Sequence, residues 1–247
     1  MSLDACAGIV QRGDPDRFAA VMAAPVSSRA RLLPLYAFNL EVARAPWVTR
    51  EPLIAEMRLQ WWRDVVAADR PRAHEVAGPL HALIGEAGLP VPVLDALIAA
   101  RRWDVHHDAF ADRAAFDGYL DATGGGLMWL AACAVGAAPA VEPAARDLGW
   151  ATGLAGFLRA VPELLARGRV PLGAGQDPAD LARDGLVRLA RARKAGIPRA
   201  AALAAWQTDA VLRQVAREPD RVMQGSLGLS EFDRRRLLIW QAFTGRF

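Results

Sequence analysis

The sequence has little cysteine and almost no lysine, which narrows the classes of protein to consider. Its two cysteines, Cys6 and Cys133, do not have metal-ligand spacing and give no sign of a disulfide framework. Lys194 is the single lysine among 30 basic residues, and the formal net charge is +3. Because no dense basic block alternates with aromatic residues, we predict no nucleic-acid partner. The most basic stretch, residues 183–199, is interpreted as a solvated helix face, with an acidic partner or a membrane surface as the alternative.

A secretory leader and a strong membrane span are also missing from the sequence pattern. Residues 1–17 do not combine a basic start with an apolar run, so we expect a cytoplasmic protein. Residues 122–141 carry no charge over about the length of a membrane span, but glycine, proline and many alanines make them weakly apolar. We therefore interpret residues 127–136 as a buried helix.

Alternating β-branched runs are scarce, and helical periodicity fills nearly the whole chain. Asp14 followed by Pro15 predicts a helix start. Leu53, Met57, Trp61 and Val65 are four apart, which predicts an amphipathic helix, and such stripes are interpreted as core packing. No linker or internal repeat divides the 247 residues. We predict one all-α domain over residues 1–247, with fraying over about the first 12 residues.

Two segments together resemble the squalene/phytoene synthase family of head-to-head prenyl diphosphate synthases. The first is SSRARLLPLYAFNLEVARAPW (27–47), followed by MRLQWWRDVV (57–66). The second is ARDLGWATGLAGFLRAVPELLARGRVPLG (145–173). The likeness covers roughly residues 14–172. It implies an all-α, isoprenoid-synthase-type helical bundle with a deep central cavity.

The aspartate pairs of that family are missing at the matching positions. In the family, two facing helices each present two aspartates four residues apart, and these hold Mg²⁺ against the departing diphosphate. The resemblance places Ala43 and Trp47 at the first pair and Ala160 and Leu164 at the second. These side chains cannot bind Mg²⁺, so we predict no metal site, no catalytic residue and no cofactor. Pro162 also predicts that the second helix kinks or ends there.

Other polar residues match family positions or neighbour them. Arginine can hold a phosphate, a diphosphate or an anionic lipid head group without metal. The alternative is structural, with Arg159 and Arg169 paired to buried acids such as Asp64 or Asp104. From the resemblance, the candidates for binding a diphosphate or a lipid head group are Arg29, Tyr36, Arg44, Arg159, Arg167 and Arg169. The candidates for polar residues that line the cavity are Asn39, Glu41 and Gln60.

The motifs AFNLEVA, MRLQWW and LRAVP resemble an aspartate-free subgroup that includes the mitochondrial complex I assembly factor of this type. That likeness implies a non-catalytic protein that binds an apolar, isoprenoid-like or lipid ligand. It also implies respiratory-complex subunits as partners and a peripheral position at the inner membrane. The alternative is an active head-to-head prenyl diphosphate synthase that binds Mg²⁺ through Glu41 and Glu163. A third alternative is a cavity filled by Trp47 and Trp61, which leaves only an interaction surface.

Three further stretches have weaker functional signals. In WDVHHDAF (103–110) the adjacent histidines point to different faces of a helix, so a polar helix end is favoured over a metal site. TGGG (123–126) lacks the Lys-Ser/Thr of a phosphate loop and instead predicts a close approach of two helices. FDRRRLLIWQAF (232–243) is amphipathic and basic, and either docks on its own bundle or lies on an anionic membrane surface.

Overall fold

The computed structural model describes residues 3–49, 51–106, 108–173 and 176–245. Across these ranges the chain is a helical bundle without strands, which confirms the predicted all-α fold class. Its α-helices are α1 (Leu3–Gly13), α2 (Pro15–Ala23), α3 (Val26–Arg44), α4 (Pro52–Ala67), α5 (Ala77–Ala87), α6 (Val91–Ala100), α7 (Arg113–Leu120), α8 (Gly126–Ala134), α9 (Glu142–Ala166), α10 (Pro178–Ala192), α11 (Arg199–Ala202), α12 (Thr208–Arg217), α13 (Asp220–Gln224) and α14 (Glu231–Thr244).

The centre of the bundle is formed by α3, α8 and α9. Residues 32–39 of α3 are all buried, and nearly every residue of α8 is buried. A helix that is apolar on all sides, as α8 is, lies in a core. The interpretation of residues 127–136 as a buried helix is therefore confirmed for α8. In the part of the chain that the structure describes, no helix combines the length and the hydropathy needed to span a bilayer.

Helix α9 continues through Pro162, so of the two predicted outcomes, a kink or an end, the end is wrong. The helix extends from Glu142 to Ala166. Proline cannot donate a hydrogen bond to the preceding turn, which weakens the helix locally. Val161 and Leu164 are buried on either side of it, and their packing holds the segment helical.

Two further predictions from the sequence, one about the first residues and one about α4, also need correction. Residues 3–13 form α1 instead of fraying, because Cys6 and Val10 are fully buried where α1 packs against α3. In α4, Leu53 and Met57 are 68% and 63% exposed, so the first half of the predicted stripe is not the core face, although its last member, Val65, is buried. The buried face of α4 contains Leu59 instead, because the helix has a second apolar stripe that also satisfies the four-residue spacing.

A glycine contact brings α9 against the turn that precedes α8. Residues 121–125 form a π-helical turn, a local widening that recurs at functional sites. A Cβ atom on Gly124 would collide with the carbonyl oxygen of Gly149, and a Cβ on Gly149 would collide with the carbonyl of Gly124. The close helix approach predicted for the TGGG stretch is thereby confirmed.

Candidate ligand-binding cavity

A cavity of about 320 Å³ lies between α3, α9 and the segment from Tyr119 to Met128. One wall is the face of α3, and the opposite wall is the side of α9 that carries Gly149, Gly153 and Phe157. Most of its surface is apolar. The polar side chains in its lining are Arg17, Tyr36, Asn39, Arg101, Asp104, Tyr119, Thr123 and Thr152.

Tyr36, a candidate for head-group binding, and Asn39, a candidate lining residue, both line the cavity. They are three residues apart on α3, a spacing that puts both on one helix face. Tyr36 is only 1% exposed and Asn39 only 6% exposed. Neither the Tyr36 hydroxyl nor the Asn39 Oδ1 atom has a hydrogen-bond partner among the described residues. The Nε atoms of Arg17 and Arg101, in the same lining, also have no partner among the described residues. Since buried polar groups almost always have partners, these four atoms are positions with which a ligand's polar group can pair.

The four positions that the family resemblance assigned to aspartates all line this cavity. Ala43 and Trp47 continue the α3 face, and Ala160 and Leu164 lie on α9. Alanine, leucine and tryptophan offer no oxygen ligand to Mg²⁺. Within the described ranges, no group of three or more His, Cys, Asp or Glu side chains is placed to bind a metal ion.

The predicted arginines are not in the cavity wall. Arg169 is buried and donates hydrogen bonds to the backbone carbonyl oxygens of Asp104, at 2.7 Å, and Trp103. Burial lowers the pKa of this guanidinium. Arg169 therefore has structural contacts, but its partners are backbone carbonyl oxygens and not the acid side chain that the structural alternative predicted. Arg167 is exposed, pairs with Glu163 at 2.6 Å, and lies over Trp47, 4.8 Å from the ring centre.

The remaining arginine candidates are also absent from the cavity lining. Arg159 is 3.6 Å from Asp16 and lines a groove that adjoins the cavity. Arg29 donates to the backbone carbonyl of Met22 at 2.7 Å. Arg44 is exposed, because it follows the cavity-facing Ala43 by about 100° around α3.

Two of the predicted polar lining residues are misplaced. Gln60 is exposed on α4 and donates a hydrogen bond to Asp64 at 2.9 Å, so it does not line the cavity. Glu41 is half-buried outside the lining, since it lies on a different side of α3 from Asn39. In the WDVHHDAF stretch, His106 contacts Glu56 at 3.1 Å, and His107 lies outside the described residues.

A buried polar cluster of Arg101, Asp104 and Tyr119 forms part of the wall, and sequence reasoning did not assign it there. The Tyr119 hydroxyl donates to Asp104 at 3.0 Å. Arg101 donates to Asp104 at 3.2 Å and to the Tyr119 oxygen at 2.8 Å. Arg101 and Asp104 are three residues apart in a 3₁₀ turn, which puts them on one side. That Arg-x-x-Asp spacing was the available signal.

Arg17 is the second cation in the lining that sequence reasoning missed. Its guanidinium lies over the Tyr36 ring, 5.0 Å from the ring centre, and is 3.3 Å from the carboxylate of Asp14. Asp14 also caps α2 by accepting a hydrogen bond from the Arg17 backbone N–H at 2.9 Å. Both cavity arginines therefore have a carboxylate beside them, and the wall is close to neutral.

The two tyrosines give a direct test of burial around the cavity. Burial raises the pKa of Tyr36 to about 12, with the nearby Arg17 opposing this and Asp14 adding to it. Burial also raises the pKa of Tyr119. The ordinary tyrosine value is about 10. A raised pKa in the folded state stabilises the protein below about pH 10, and this contribution is lost as the pH rises through 12.

We therefore expect little tyrosinate absorbance from the folded protein at about pH 11, where the urea-unfolded chain has ionised most of its tyrosine. The chain has only these two tyrosines, so an ultraviolet difference titration reports on them alone. Half-ionisation near pH 10 in the folded protein would contradict the buried positions of both hydroxyls.

Comparisons with known proteins agree with this architecture. Residues 10–205 match the family model described as squalene/phytoene synthase, and the chain belongs to this family. Its fold is similar to the crystal structure of a dehydrosqualene synthase in complex with ligand, with a TM-score of 0.83, 15% identity, and coverage of 98% of this chain and 95% of that one. Squalene synthase HpnC from Alicyclobacillus acidocaldarius gives a TM-score of 0.70 at 15% identity, covering 92% and 95% of the two chains.

The curated proteins that are similar in sequence are named as assembly factors and not as synthases. The chain is 27% identical over 169 residues to the Bos taurus protein "NADH dehydrogenase (ubiquinone) complex I, assembly factor 6", covering 67% of this chain and 51% of the relative. It is 30% identical over 176 residues to the Drosophila melanogaster homolog of that protein, covering 67% and 52%. The chain thus spans about half the length of these relatives. The family resemblance predicted from the sequence is confirmed.

Proposed function

We propose that this chain is a non-catalytic member of its family that holds an apolar, isoprenoid-like molecule and serves in the assembly of a respiratory complex. The observation that carries the proposal is an open cavity of about 320 Å³ with Ala43, Trp47, Ala160 and Leu164 in its wall. Departure of a diphosphate needs its developing charge to be neutralised. Four apolar side chains cannot supply that, whereas they suit an apolar ligand.

The positions of the nearby carboxylates favour this reading over an active synthase. Glu41 does not line the cavity, and Glu163 is exposed and hydrogen-bonded to Arg167 at 2.6 Å. Asp104 supplies a carboxylate to the lining, but this carboxylate already accepts a hydrogen bond from Tyr119 and pairs with Arg101. A filled cavity is also disfavoured, because Trp61 packs against Trp62 on α4.

Calorimetric titration with the non-hydrolysable analogue farnesyl thiodiphosphate, with and without Mg²⁺, tests the non-catalytic reading. We expect Mg²⁺ to change the affinity by less than tenfold, which is about 1.4 kcal/mol. We also expect Glu41→Gln and Glu163→Gln to leave both titrations unchanged. A tenfold or greater gain with Mg²⁺, lost in either variant, would establish a displaced metal site and refute the proposal.

The names of the curated relatives support the assembly role. Because those proteins are assembly factors of complex I, we propose respiratory-complex subunits as partners and a site of action at the inner membrane. Deleting the gene should then reduce the amount of assembled complex I in isolated membranes. An unchanged amount of the complex, measured by native gel electrophoresis and NADH oxidation, would argue against this role.

The outward side of α14 supports contact with a membrane. The helix docks on the bundle through Leu237, Leu238 and Gln241. Its opposite side, which we call the α14 outer face, is flanked by exposed arginines. The face consists of Phe232, Ile239, Trp240 and Phe243, which are 75%, 57%, 57% and 83% exposed. Aromatic and aliphatic side chains beside arginines suit the surface of an anionic bilayer.

We expect the double variant Trp240→Ser/Phe243→Ser to lose at least tenfold in binding to vesicles that contain phosphatidylglycerol. Burial of one large apolar side chain contributes roughly 1.5–3 kcal/mol, and each 1.4 kcal/mol is tenfold in affinity. The matched control is Met223→Ser, which removes a 59% exposed side chain from α13. Equal sedimentation of all three proteins with the vesicles would rule out the α14 outer face as the contact.

A further inference from the structure

Two residues on one face of α3 each present to the cavity a polar atom that has no hydrogen-bond partner among the described residues. The Tyr36 hydroxyl and the Asn39 Oδ1 atom are buried, lie on the same helix face, and have no partner among the described residues. Leaving a buried polar group unpaired costs about 1–3 kcal/mol. A ligand that pairs with both atoms therefore gains affinity that a plain hydrocarbon cannot gain.

The chemistry of the two atoms specifies the head group. Asn39 Oδ1 can only accept a hydrogen bond, whereas a tyrosine hydroxyl can donate one. The matching group must donate one hydrogen bond and accept another, which a hydroxyl does. Diphosphate oxygens act only as acceptors near neutral pH, so they would leave Asn39 Oδ1 unpaired. Because burial raises the pKa of Tyr36 to about 12, this hydroxyl stays protonated and able to donate.

The charges in the wall also favour a neutral head group. Arg17 lies 3.3 Å from Asp14, and Arg101 lies 3.2 Å from Asp104. Each cation is thus already compensated by a carboxylate. A diphosphate would bring several negative charges into a partly dry site without excess positive charge to receive them.

The cavity volume limits the ligand to one chain. An engineered apolar cavity of about 150 Å³ holds one benzene, which corresponds to roughly 25 Å³ for each heavy atom. At that ratio the 320 Å³ cavity takes about 13 heavy atoms. This matches one prenyl chain of about ten carbon atoms, or one of about 15 carbon atoms whose end extends out of the open mouth, and it excludes two such chains side by side.

We propose that the cavity binds a single short prenyl alcohol, with the ligand's hydroxyl accepting a hydrogen bond from Tyr36 and donating one to Asn39. This inference rests on the proposed ligand-binding function and specifies its ligand. The apolar chain extends along the α3 face past Ala43 towards Trp47.

The test compares three probes that differ only in the head group: farnesol, farnesyl methyl ether and farnesyl thiodiphosphate. The ether keeps the acceptor oxygen but has no hydrogen to donate to Asn39. We expect one farnesol molecule to bind to each chain. Farnesol should bind about 5- to 10-fold more tightly than the ether, because one neutral hydrogen bond contributes about that much to the affinity. The thiodiphosphate is expected to bind more weakly than farnesol. Titration calorimetry gives both the affinity and the stoichiometry.

Variants assign the preference to the two residues. Asn39→Leu should make farnesol and its ether bind alike, and Tyr36→Phe should weaken both by a similar factor of about 5–10. The matched control is Gln60→Leu, the same change from amide to apolar side chain on the exposed side of α4. It should keep the preference for farnesol.

The outcomes separate this inference from the proposed function. If farnesol and its ether bind equally to the unmodified protein, if two molecules bind, or if the thiodiphosphate binds more tightly, the alcohol assignment is overturned while ligand binding stands. If none of the three probes binds, the proposed ligand-binding function itself fails.

Discussion

Replacing Gly149 by alanine is expected to lower the free energy of unfolding by about 2–3 kcal/mol, in spite of alanine's higher helix propensity. A Cβ atom at this position would overlap the backbone carbonyl of Gly124 and lie 2.6 Å from Cβ of Met128. Backbone atoms cannot rotate away as a flexible side chain can. The π-helical turn and α9 must therefore separate, and apolar contacts along both are lost. Urea denaturation followed by circular dichroism measures the change.

Gly156 provides the control in the same helix. A Cβ atom there would meet nothing within 4 Å, and its φ angle is not in the left-handed region. Gly156→Ala is therefore expected to raise the free energy of unfolding by about 0.5–1 kcal/mol. A loss of stability in both variants would mean that the contact with Gly124 is not the cause.

Replacing Asp104 by alanine is expected to cost about 3–5 kcal/mol, because removing one partner of a buried ion pair leaves the other charge uncompensated. The Asp104 side chain is 5% exposed and that of Arg101 is 18% exposed. The variant also leaves the Tyr119 hydroxyl without its acceptor. Thermal and urea unfolding should both register the loss.

Asp117→Ala is the matched control for this effect. Asp117 pairs with Arg113 at 2.8 Å, but both side chains are at least 30% exposed, and Arg113 also contacts Asp184. Exposed pairs contribute roughly 0–1 kcal/mol. If Asp104→Ala is no more destabilising than Asp117→Ala, the cluster of Arg101, Asp104 and Tyr119 does not stabilise the wall.

The sequence predicted part of the α3 side of the cavity, because a single helix fixes which of its residues share a face, but it also placed Glu41 there, which lies outside the lining. Tyr36, Asn39, Ala43 and Trp47 follow a spacing of three and four residues, and all four line the cavity. The same reasoning failed for α4. That helix has two apolar stripes with acceptable spacing, and only packing against Phe38 decides that Trp62 faces inward.

The sequence could not identify the cations of the cavity wall. Arg17 and Arg101 lie on segments far apart in the chain, and only the tertiary packing brings them to one wall. The arginines chosen from the family resemblance were misplaced for a related reason. Their long side chains reach whichever acceptor the fold puts nearby, as Arg169 does with the carbonyl of Asp104.

The contact between Gly124 and Gly149 also bears on how this protein can diverge. Each position is restricted by the backbone of the other, so a substitution at one cannot be compensated by a larger or smaller side chain at its neighbour. Natural variants that keep this cavity should therefore retain both glycines together. Gly156, which lines the same cavity without such a neighbour, is expected to vary.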